Sequence, residues 1–478
     1  MTPENYTLLC DYYELTMANG YFLCGRGDEI SYFDIFYRKN PDGGGFAIAA
    51  GLEQIVDYIQ NLRFTEEDIA FLREQKLFDE RFLDTLKTFR FTGDLWAVPE
   101  GTPIFPGEPI LTVRARAMEA QFLETFLLLT INHQTLIATK ANRVRRAAEG
   151  RAVAEFGSRR AQGPSAAVLG ARAAYIGGVR VTACTLTSRR YGVPPTGTMA
   201  HSWVQMFDDE YEAFRTYCEI YPDNAVLLVD TYNTLSSGVP NAIRAFKEVL
   251  LPRGIRKCAI RIDSGDLTYL SRKARKMLDE AGLPFCRIVV SNSLDEHLIS
   301  QLIRQGAAID SFGVGERLIT AKSDPVFGGV YKLAAVEDRD GNILPKIKIS
   351  DNPEKVTNPH FKKVWRIYED GKALADLITL HDETLDPSQP LELFDPAYTW
   401  KRRTVVNYRA EELLRPIFRG GELVYPLPSL PEIAAYCDEQ LALQWDEVKR
   451  FANPHEYYVD LSQKLWDLKQ KMLTRGEA

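Results

Sequence analysis

Residues 258–282 read CAIRIDSGDLTYLSRKARKMLDEAG, which is a short apolar run, a polar turn and then a helical pattern. The run CAIRI is typical of a buried strand, and the Ser, Gly and Asp residues after it are typical of a turn. In the remaining residues, apolar side chains recur at three- and four-residue spacing, which predicts an amphipathic helix. The stretch therefore predicts one strand–turn–helix unit.

Six other stretches nearby begin with a similar apolar run, and helical patterns follow most of them. They are residues 152–157 (AVAEFG), 179–184 (VRVTAC), 195–200 (PTGTMA), 225–233 (AVLLVDTYN), 287–292 (RIVVSN) and 309–315 (IDSFGVG). Strands that alternate with helices predict a parallel sheet of the α/β class. Seven units in a row favour a closed or nearly closed α/β barrel, and an open doubly wound sheet is the alternative.

The rest of the chain divides by its pattern of strands and helices. Residues 1–115 mix both kinds of element, so we predict an N-terminal α+β domain there. The β-rich residues 330–400 are expected to complete it, because strands in separate segments need partners. Residues 116–330 form the predicted barrel domain and open with a long helix. Residues 401–478 are predicted to be a C-terminal extension, interrupted by prolines and then mainly helical.

Composition restricts the class of protein. The 478 residues carry a net charge of −7, which argues against nucleic acid or an anionic membrane as a general partner. The seven cysteines are odd in number and scattered, as expected for reduced thiols in a cytoplasmic protein. The acidic, aromatic first residues do not resemble a signal peptide, and no apolar run approaches the length of a membrane-spanning helix.

Polar residues and glycines stand at or just beyond the carboxyl ends of the predicted strands. In barrels and open α/β sheets alike, that edge is where active sites are built. We therefore expect the imidazole of His201 to lie near Arg261 and Asp263, at one mouth of the sheet. The full set of candidates at strand ends is Phe156, Arg159, His201, Asp230, Arg261, Asp263, Ser264, Asp266, Asn292, Gly313 and Gly315.

Several candidates also have an ordinary structural interpretation. A single histidine at a helix start, such as His201, is often a cap or a satisfied buried group. The Ser and Asp residues of RIDSGD (261–266) could cap a helix, although Arg261 and Asp263 are two apart on a strand and so share a face. Asp230 could bind a metal or a hydroxyl group, or it could cap the next helix.

Two further stretches are suited to bind anions. Gly313 and Gly315 follow a late strand, where barrels commonly bind phosphate through backbone N–H groups. Arg159 could clamp an anion with its fork of donors, or it could lie in a solvated turn. Together, the strand-end residues suit a sugar phosphate, with carboxylates for ribose hydroxyls or Mg²⁺.

The chain resembles a known family, the nicotinate phosphoribosyltransferases. The resemblance covers residues 5–400 and rests on several stretches in the family's order and spacing. These are LLCDYYELTMANGYF (8–22), EFGSRRAQGPSAAVLGARAAYIGG (155–178), GTMAHSW (197–203), VLLVDTYNTLSSGVPNAI (226–243), RIDSGDL (261–267), SNSLDE (291–296), IDSFGVGERLITA (309–321) and KVTNPHFKKVWRIY (355–368).

The resemblance implies a type II phosphoribosyltransferase, with an irregular α/β barrel and a discontinuous α+β domain. Such an enzyme transfers phosphoribose from phosphoribosyl pyrophosphate to the ring nitrogen of nicotinate, a step of NAD salvage, and couples the transfer to ATP hydrolysis. The resemblance also implies a cytoplasmic homodimer with shared active sites and Mg²⁺ as a cofactor.

The family's residue roles can be carried onto this chain. His201 would be the phosphorylated histidine, while Phe156 and a partner's Tyr13 would enclose the pyridine ring. Arg159 and Arg261 would bind the nicotinate carboxylate or pyrophosphate. Asp230 and Asp263 would bind ribose hydroxyls or Mg²⁺. Ser264 and Asn292 would be further substrate ligands, and Gly313 and Gly315 would bind the 5′-phosphate. Weaker candidates for phosphates across the dimer are Arg38, Lys348, Lys355 and Lys363.

Some positions depart from the family's usual residues. Arg180, Ala183 and Cys184 stand where an Asp and then a Ser-Asn pair are usual. Asn233 and Ser293 each replace Asp, and Glu316 replaces Thr beside the expected phosphate loop. These departures leave two alternatives, a dimeric homologue with impaired catalysis and a binding or regulatory role, and a transferase that uses nicotinamide.

Overall fold

The computed structural model describes residues 5–475, so the ends of the predicted first and last domains, residues 1–4 and 476–478, lie outside the described residues. The chain divides into two compact units. Unit 1 contains the residues up to 136 and those from 326 onward, and unit 2 contains residues 137–325. The division falls inside the long helix Glu124–Ala147, whereas the boundary predicted from the sequence lies between residues 115 and 116.

The α-helices, α1 to α16 in chain order, are Tyr12–Leu23, Leu52–Asn61, Glu66–Glu74, Glu80–Leu86, Ala117–Gln121, Glu124–Ala147, Pro164–Ile176, Thr185–Tyr191, His201–Gln205, Glu210–Ile220, Val239–Ala245, Leu267–Glu280, Glu296–Arg304, Glu316–Ile319, Leu430–Ala442 and Gln463–Arg475. Shorter helical turns are Pro41–Gly43, Ser158–Arg160, Pro222–Asn224, Thr234–Gly238, Phe246–Leu250, Leu251–Arg253 and Pro353–Lys355.

The strands, β1 to β20 in chain order, are Ile30–Phe36, Ala47–Ile48, Asp94–Ala97, Pro103–Ile104, Leu111–Arg116, Ala152–Glu155, Ala225–Leu228, Cys258–Ile262, Arg287–Val290, Ser311–Val314, Val330–Glu337, Ile343–Pro345, Lys362–Glu369, Lys372–Leu380, Leu391–Phe394, Arg402–Val405, Arg409–Glu412, Arg415–Arg419, Glu422–Leu423 and Tyr458–Leu461.

Unit 2 is built on a parallel sheet with the strand order β6-β10-β9-β8-β7. Its strands are buried, and Ile260, Ile288 and Phe312 have no exposed surface. Two isolated parallel bridges, from Glu155 to Thr182 and from Thr182 to Pro195, extend the sheet beyond β6. The predicted α/β class with a parallel sheet is therefore confirmed.

The backbone ladders do not close this sheet into the expected barrel. In the strand order of the described residues, β7 ends the sheet on one side. On the other side, the segments around Thr182 and Pro195 contribute only single bridges. Pro194 and Pro195 have no amide hydrogen to donate, so this edge cannot build a longer ladder.

Unit 1 contains a seven-stranded sheet with the order β12-β11-β1-β5-β3-β18-β19. Strands from the first 116 residues lie beside strands from residues 330–345, since β1 pairs with β11 in antiparallel fashion. A second sheet has the order β17-β13-β14-β20. Its strands β13 and β14 come from residues 362–380, so the β-rich segment contributes to both sheets.

The C-terminal segment differs from the mainly helical prediction. It contains α15 and α16, but strands β16 to β20 lie between residues 402 and 461. These strands are two to five residues long. Strands β18 and β20 pair with the distant strands β3 and β14, whereas β16 and β19 each pair with the strand just before them. Such short strands carry little periodicity of their own. Across residues 5–475, no helix has both the length and the apolarity required to span a bilayer.

Candidate active site

The carboxyl ends of β7, β8 and β9 bring polar side chains into one hydrogen-bonded cluster. Arg261 is in β8 and Asp263 follows that strand, while Asp230 follows β7 and Ser291 follows β9. Parallel strands place their carboxyl ends at the same edge, so residues far apart in sequence meet there. The cluster lies entirely within unit 2.

Arg261 is the centre of this cluster, and its side chain is only 12% exposed. Its Nη2 donates to Asp263 Oδ1 at 3.0 Å, and its Nε donates to Ser291 Oγ at 2.8 Å. Ser291 Oγ in turn donates to Asp263 Oδ1, and Arg261 Nη1 donates to Thr198 Oγ1 at 3.1 Å. These contacts fix the plane of the guanidinium group and neutralise its charge with one carboxylate.

The imidazole of His201 lies beside the same carboxylate, as expected from the sequence. Its Nε2 is 4.0 Å from Asp263 Oδ2, and its side chain is 40% exposed. Its Nδ1 lies 3.1 Å from Thr231 Oγ1, which is just beyond β7. His201 is the first residue of α9, so the start of this helix and the contact with Thr231 together set the position of the ring.

One carboxylate oxygen of Asp230 accepts hydrogen bonds, and the other has no partner among the described residues. Its Oδ2 accepts hydrogen bonds from the Asp263 amide at 3.0 Å and from Ser264 Oγ at 2.6 Å. Its Oδ1 is buried and has no hydrogen-bond partner among the described residues. A buried carboxylate oxygen without a partner is costly, so this atom is suited to receive a ligand hydroxyl or a cation.

Phe156 covers the Arg261 side of the cluster. The guanidinium carbon of Arg261 is 5.5 Å from the centroid of the Phe156 ring, within range of a cation–π interaction. Gly313 lies inside β10, opposite Ala154 of β6, and a Cβ there would be 2.6 Å from two Phe156 ring carbons. The structure thus gives Gly313 a spacing role next to the ring, whereas the sequence predicted a phosphate ligand.

Glu155 directly precedes Phe156 in the chain and was not predicted from the sequence as a site residue. Its carboxylate is fully buried and accepts hydrogen bonds from Thr182 Oγ1 at 2.6 Å and from the Gly157 amide. Burial raises the pKa of Glu155, although these two hydrogen bonds oppose the rise. Its contacts hold the turn between β6 and the following Ser158–Arg160 helical turn.

The predicted phosphate loop lies at the end of β10. Gly315 precedes the short helix α14, and its carbonyl accepts from the Leu318 and Ile319 amides. Glu316, the departure from the family's usual Thr, pairs with Lys322 at 2.6 Å, and this hydrogen bond lowers the pKa of Glu316. The charge of Glu316 is therefore offset within the loop. Arg159 is exposed and has no hydrogen bond or ion pair with a described residue.

Asn292 is not brought into the cluster. It is exposed, its Oδ1 accepts only from Ser293 Oγ, and both residues have left-handed backbone angles, with φ of 85° and 51°. Its neighbour Ser291 is the residue after β9 that contacts Arg261 and Asp263. The cluster residues that the sequence analysis missed are Glu155, Thr198, Thr231 and Ser291.

The remaining departures from the family pattern have local structural roles. Arg180 packs on Tyr175, with its guanidinium carbon 5.1 Å from the ring centroid. Cys184 is buried against Val168 and Ala171, and the Ala183 amide donates to the Glu155 carbonyl. The last departure, Asn233, accepts a hydrogen bond from the Ser236 amide and so caps the Thr234–Gly238 turn.

The other predicted site residues belong to unit 1. Tyr13 is on α1 and is 44% exposed. Arg38 donates to the Glu354 carbonyl at 3.1 Å, while Lys348 and Lys355 are exposed. Lys363 lies in β13 with its Nζ 5.6 Å from the Trp365 ring centroid.

Unit 1 also has a basic cavity that the sequence analysis missed. Its volume is about 230 Å³, and its lining includes Arg38, Lys332, Lys362 and Lys469. Burial lowers the pKa of Lys332, and the nearby charges of Lys348 and Arg38 add to this effect. Lys362 has a carboxylate partner, since its Nζ is 2.7 Å from Asp34 Oδ2.

The carboxylates of unit 2 are suited to a hard cation such as Mg²⁺, which would take its remaining ligands from water and substrate phosphates. Among the described residues, no group of three or more His, Cys, Asp or Glu side chains could hold a metal ion alone. Mg²⁺, however, is usually bound by one or two carboxylates together with waters and substrate phosphates. The unpartnered Oδ1 of Asp230 meets that requirement.

Comparison with known proteins identifies the family of the chain. Three family models match: the nicotinate phosphoribosyltransferase N-terminal domain over residues 8–132, the nicotinate phosphoribosyltransferase family over residues 152–372, and the nicotinate phosphoribosyltransferase C-terminal domain over residues 361–469. A nicotinate phosphoribosyltransferase of Bacillus subtilis is 44% identical, with 98% of this chain and 96% of the relative covered. The Homo sapiens enzyme of that name is 32% identical, with 96% and 95% covered.

Solved structures give the same result. The crystal structure of human nicotinic acid phosphoribosyltransferase has a TM-score of 0.84 and 30% identity, with 97% of this chain and all of that chain covered. A Pyrococcus furiosus nicotinate-nucleotide pyrophosphorylase has a TM-score of 0.71 at 23% identity, which supports the fold alone. The similarity extends along nearly the whole length and includes the cluster around Arg261, and the chain belongs to the nicotinate phosphoribosyltransferase family.

Proposed function

We propose that the protein transfers the phosphoribosyl group of phosphoribosyl pyrophosphate to nicotinate, which yields nicotinate mononucleotide and pyrophosphate for NAD salvage. The pyridine nitrogen forms a bond to the anomeric carbon of ribose as the bond from that carbon to pyrophosphate breaks. The observation that carries the proposal is the convergence of Phe156, Arg261, Asp263 and His201 at one edge of the parallel sheet. Such a displacement needs an aromatic surface, fixed cationic donors and carboxylates in one place.

Phe156 offers a flat surface for the pyridine ring, and the face of such a ring is well suited to a planar heterocycle. Arg159 has no ion pair with a described residue, so its guanidinium group is available for the nicotinate carboxylate. Arg261 is fixed by three side chains and would bind pyrophosphate or the same carboxylate without reorienting. A preoriented donor of this kind costs little reorganisation when charge develops.

The pair Asp230 and Asp263 would face the ribose. The free Oδ1 of Asp230 would accept a ribose hydroxyl or hold Mg²⁺, while Ser264 keeps its other oxygen in place. When bound, Mg²⁺ would neutralise charge on the pyrophosphate. Gly315 would present the loop amides to the 5′-phosphate, and Lys322 would offset the charge of Glu316 there.

We also propose that His201 accepts the γ-phosphoryl group of ATP. If Nδ1–H donates to Thr231, the lone pair is on Nε2, which faces the open side of the cluster toward Asp263. A nitrogen–phosphorus bond then forms as the bond to ADP breaks, and water later removes the phosphoryl group. Thr231 is a positioning residue in this scheme, because its contact with Nδ1 orients the imidazole ring.

The irregular barrel is part of the same proposal. Thr231 follows β7 at one edge of the sheet, and His201 follows the segment at the other edge, yet the two side chains are 3.1 Å apart. A sheet whose opposite edges approach at the carboxyl mouth has curled strongly. We infer that side chains, rather than a backbone ladder, close the barrel at that mouth.

The protein is proposed to act as a cytoplasmic homodimer with shared sites. Helix α1 exposes Tyr12, Tyr13 and Met17, which are 46%, 44% and 39% exposed, and exposed apolar groups of this kind mark interaction surfaces. Tyr13 would then reach the pyridine ring of the partner's site, and Arg38, Lys348, Lys355 and Lys363 would supply charge to phosphates there. All seven cysteines are free, as suits a reducing compartment.

Product formation from each pyridine base, with and without ATP, tests the reaction. We expect nicotinate mononucleotide from nicotinate and far less product from nicotinamide, with a higher yield when ATP is present. Preferential use of nicotinamide, or the absence of both products, would overturn the assignment. In a parallel experiment, ATP labelled in its γ-phosphate should label the native protein and not His201→Ala.

A further inference from the structure

A second cavity lies in unit 1, between the strand pair β14 and β20 and the hairpin formed by β15 and β16. Its volume is about 270 Å³, which suits a small ligand. Apolar side chains, including Leu374, Leu393 and Phe394, form much of its lining, and Tyr458 stands at its rim. Every residue of this cavity belongs to unit 1, so it is separate from the cluster around Arg261.

One carboxylate in this cavity has no partner. Asp460 is only 5% exposed and lines the cavity, and its carboxylate forms no hydrogen bond or ion pair with any residue of the described chain. It is two residues from Tyr458 on β20, so both side chains point to the same face of the strand. Burial raises the pKa of Asp460 to about 6, and the nearby charge of Asp395 adds to the rise.

The cations around the cavity are already paired with other carboxylates. Lys401 Nζ is 3.7 Å from Asp395 Oδ2 and 4.3 Å from the centroid of the Tyr398 ring. The guanidinium groups of Arg402 and Arg403 pair with Glu392 and Glu369, respectively. The charge of Asp460 is therefore the one that the surroundings do not offset, and the cavity favours a positive group.

We propose that this cavity binds a small organic cation with a flat apolar body, whose ammonium or amidinium group pairs with Asp460. The cationic head satisfies the buried carboxylate with charge-assisted hydrogen bonds, while the body packs against Leu374 and Leu393. The site is independent of the transferase reaction.

Benzamidine is a suitable probe, with the uncharged benzamide as its matched control of the same shape. We expect saturable binding of benzamidine to the full-length protein by isothermal titration calorimetry at pH 7.5, and at least about tenfold weaker binding of benzamide. At pH 5, below the pKa of about 6, Asp460 is protonated and benzamidine should bind more weakly.

Variants identify the group responsible. Asp460→Asn keeps the shape and breaks no hydrogen bond, so it should fold and bind benzamidine at least about tenfold more weakly. Asp467→Asn, an exposed acidic position on α16, should bind like the native protein. Tyr458→Arg places a cation on the face of Asp460 and should also prevent binding.

Nicotinate mononucleotide formation should stay native in Asp460→Asn, which separates this site from the transferase site. The proposal is overturned if benzamidine shows no saturable binding. It is equally overturned if benzamide binds as tightly, or if folded Asp460→Asn binds benzamidine with native affinity.

Discussion

At the scale of single residues, Gly313 shows how a missing side chain can shape a site. The ring of Phe156 occupies the space that a Cβ on Gly313 would need. Gly313 does not have a positive φ, so its backbone alone does not require glycine. The close approach of the ring is therefore the physical reason for glycine at this position.

We predict that Gly313→Ala displaces the Phe156 ring and weakens nicotinate binding, with KM rising about tenfold or more. The displacement should leave the unfolding temperature nearly native if the ring moves toward the open site. Steady-state kinetics with nicotinate, together with thermal unfolding, provide the measurement. Gly197→Ala is the matched control, because a Cβ there meets no atom within 4 Å. A native KM in Gly313→Ala would contradict the spacing role.

The residues at this site were predictable from sequence to different degrees. Arg261 and Asp263 were predictable because their spacing places two charged groups on one face of a buried strand. Thr231 and Ser291 were not, because hydroxyl residues are common in turns and their partners lie about 30 positions away. Only the fold brings such residues together.

At the scale of elements, helix caps show which acidic residues are available to the site. The Asp266 carboxylate accepts from the Tyr269 amide at 3.0 Å and so caps α12. Asn233 caps the helical turn after β7 in the same way. Each cap is therefore supplied by a residue three positions after Asp230 or Asp263. Because Asp230 and Asp263 do not cap these helices, their carboxylates can face the substrate.

This division of roles gives opposite expectations for two neighbouring aspartates. Asp266→Ala removes the cap and should lower the free energy of unfolding by about 1 kcal/mol, with turnover nearly native. Asp263→Ala removes the partner of Arg261 and should reduce kcat/KM by about 100-fold or more. Urea unfolding and steady-state kinetics on both variants provide the measurements. A large loss of turnover in Asp266→Ala, with native stability, would contradict the assignment of the cap.

The elements themselves were predictable where burial is strong. Strands β6 to β10 are apolar runs bounded by turn residues, and their parallel pairing follows from the helices between them. Strands β16 to β20 were missed because each is only two to five residues long, and β17, β18 and β20 are in addition paired with strands far away in sequence. The stretch 195–200 was predicted as a strand but contributes only a single bridge to the sheet, because prolines at this edge cannot donate a backbone hydrogen bond.

At the scale of the whole molecule, the candidate residues fall into two sets. His201, Arg261 and Asp263 belong to unit 2, whereas Tyr13 and the basic residues of the predicted phosphate sites belong to unit 1. Tyr13 is exposed on a helix with other exposed apolar side chains. In the proposed homodimer, a complete site takes Tyr13 from one chain and the Arg261 cluster from the other.

Mixing two inactive variants tests that arrangement. We predict that Tyr13→Ala and Arg261→Ala are each strongly impaired, because each damages both sites of its homodimer. When the two are unfolded, mixed in equal amounts and refolded, half of the dimers are hybrids, and each hybrid has one site with neither substitution. About a quarter of native activity should return. The matched control mixes Asp263→Ala with Arg261→Ala, which lie on the same side of the site and should give no recovery. If Tyr13 served the site of its own chain, the first mixture would also remain inactive.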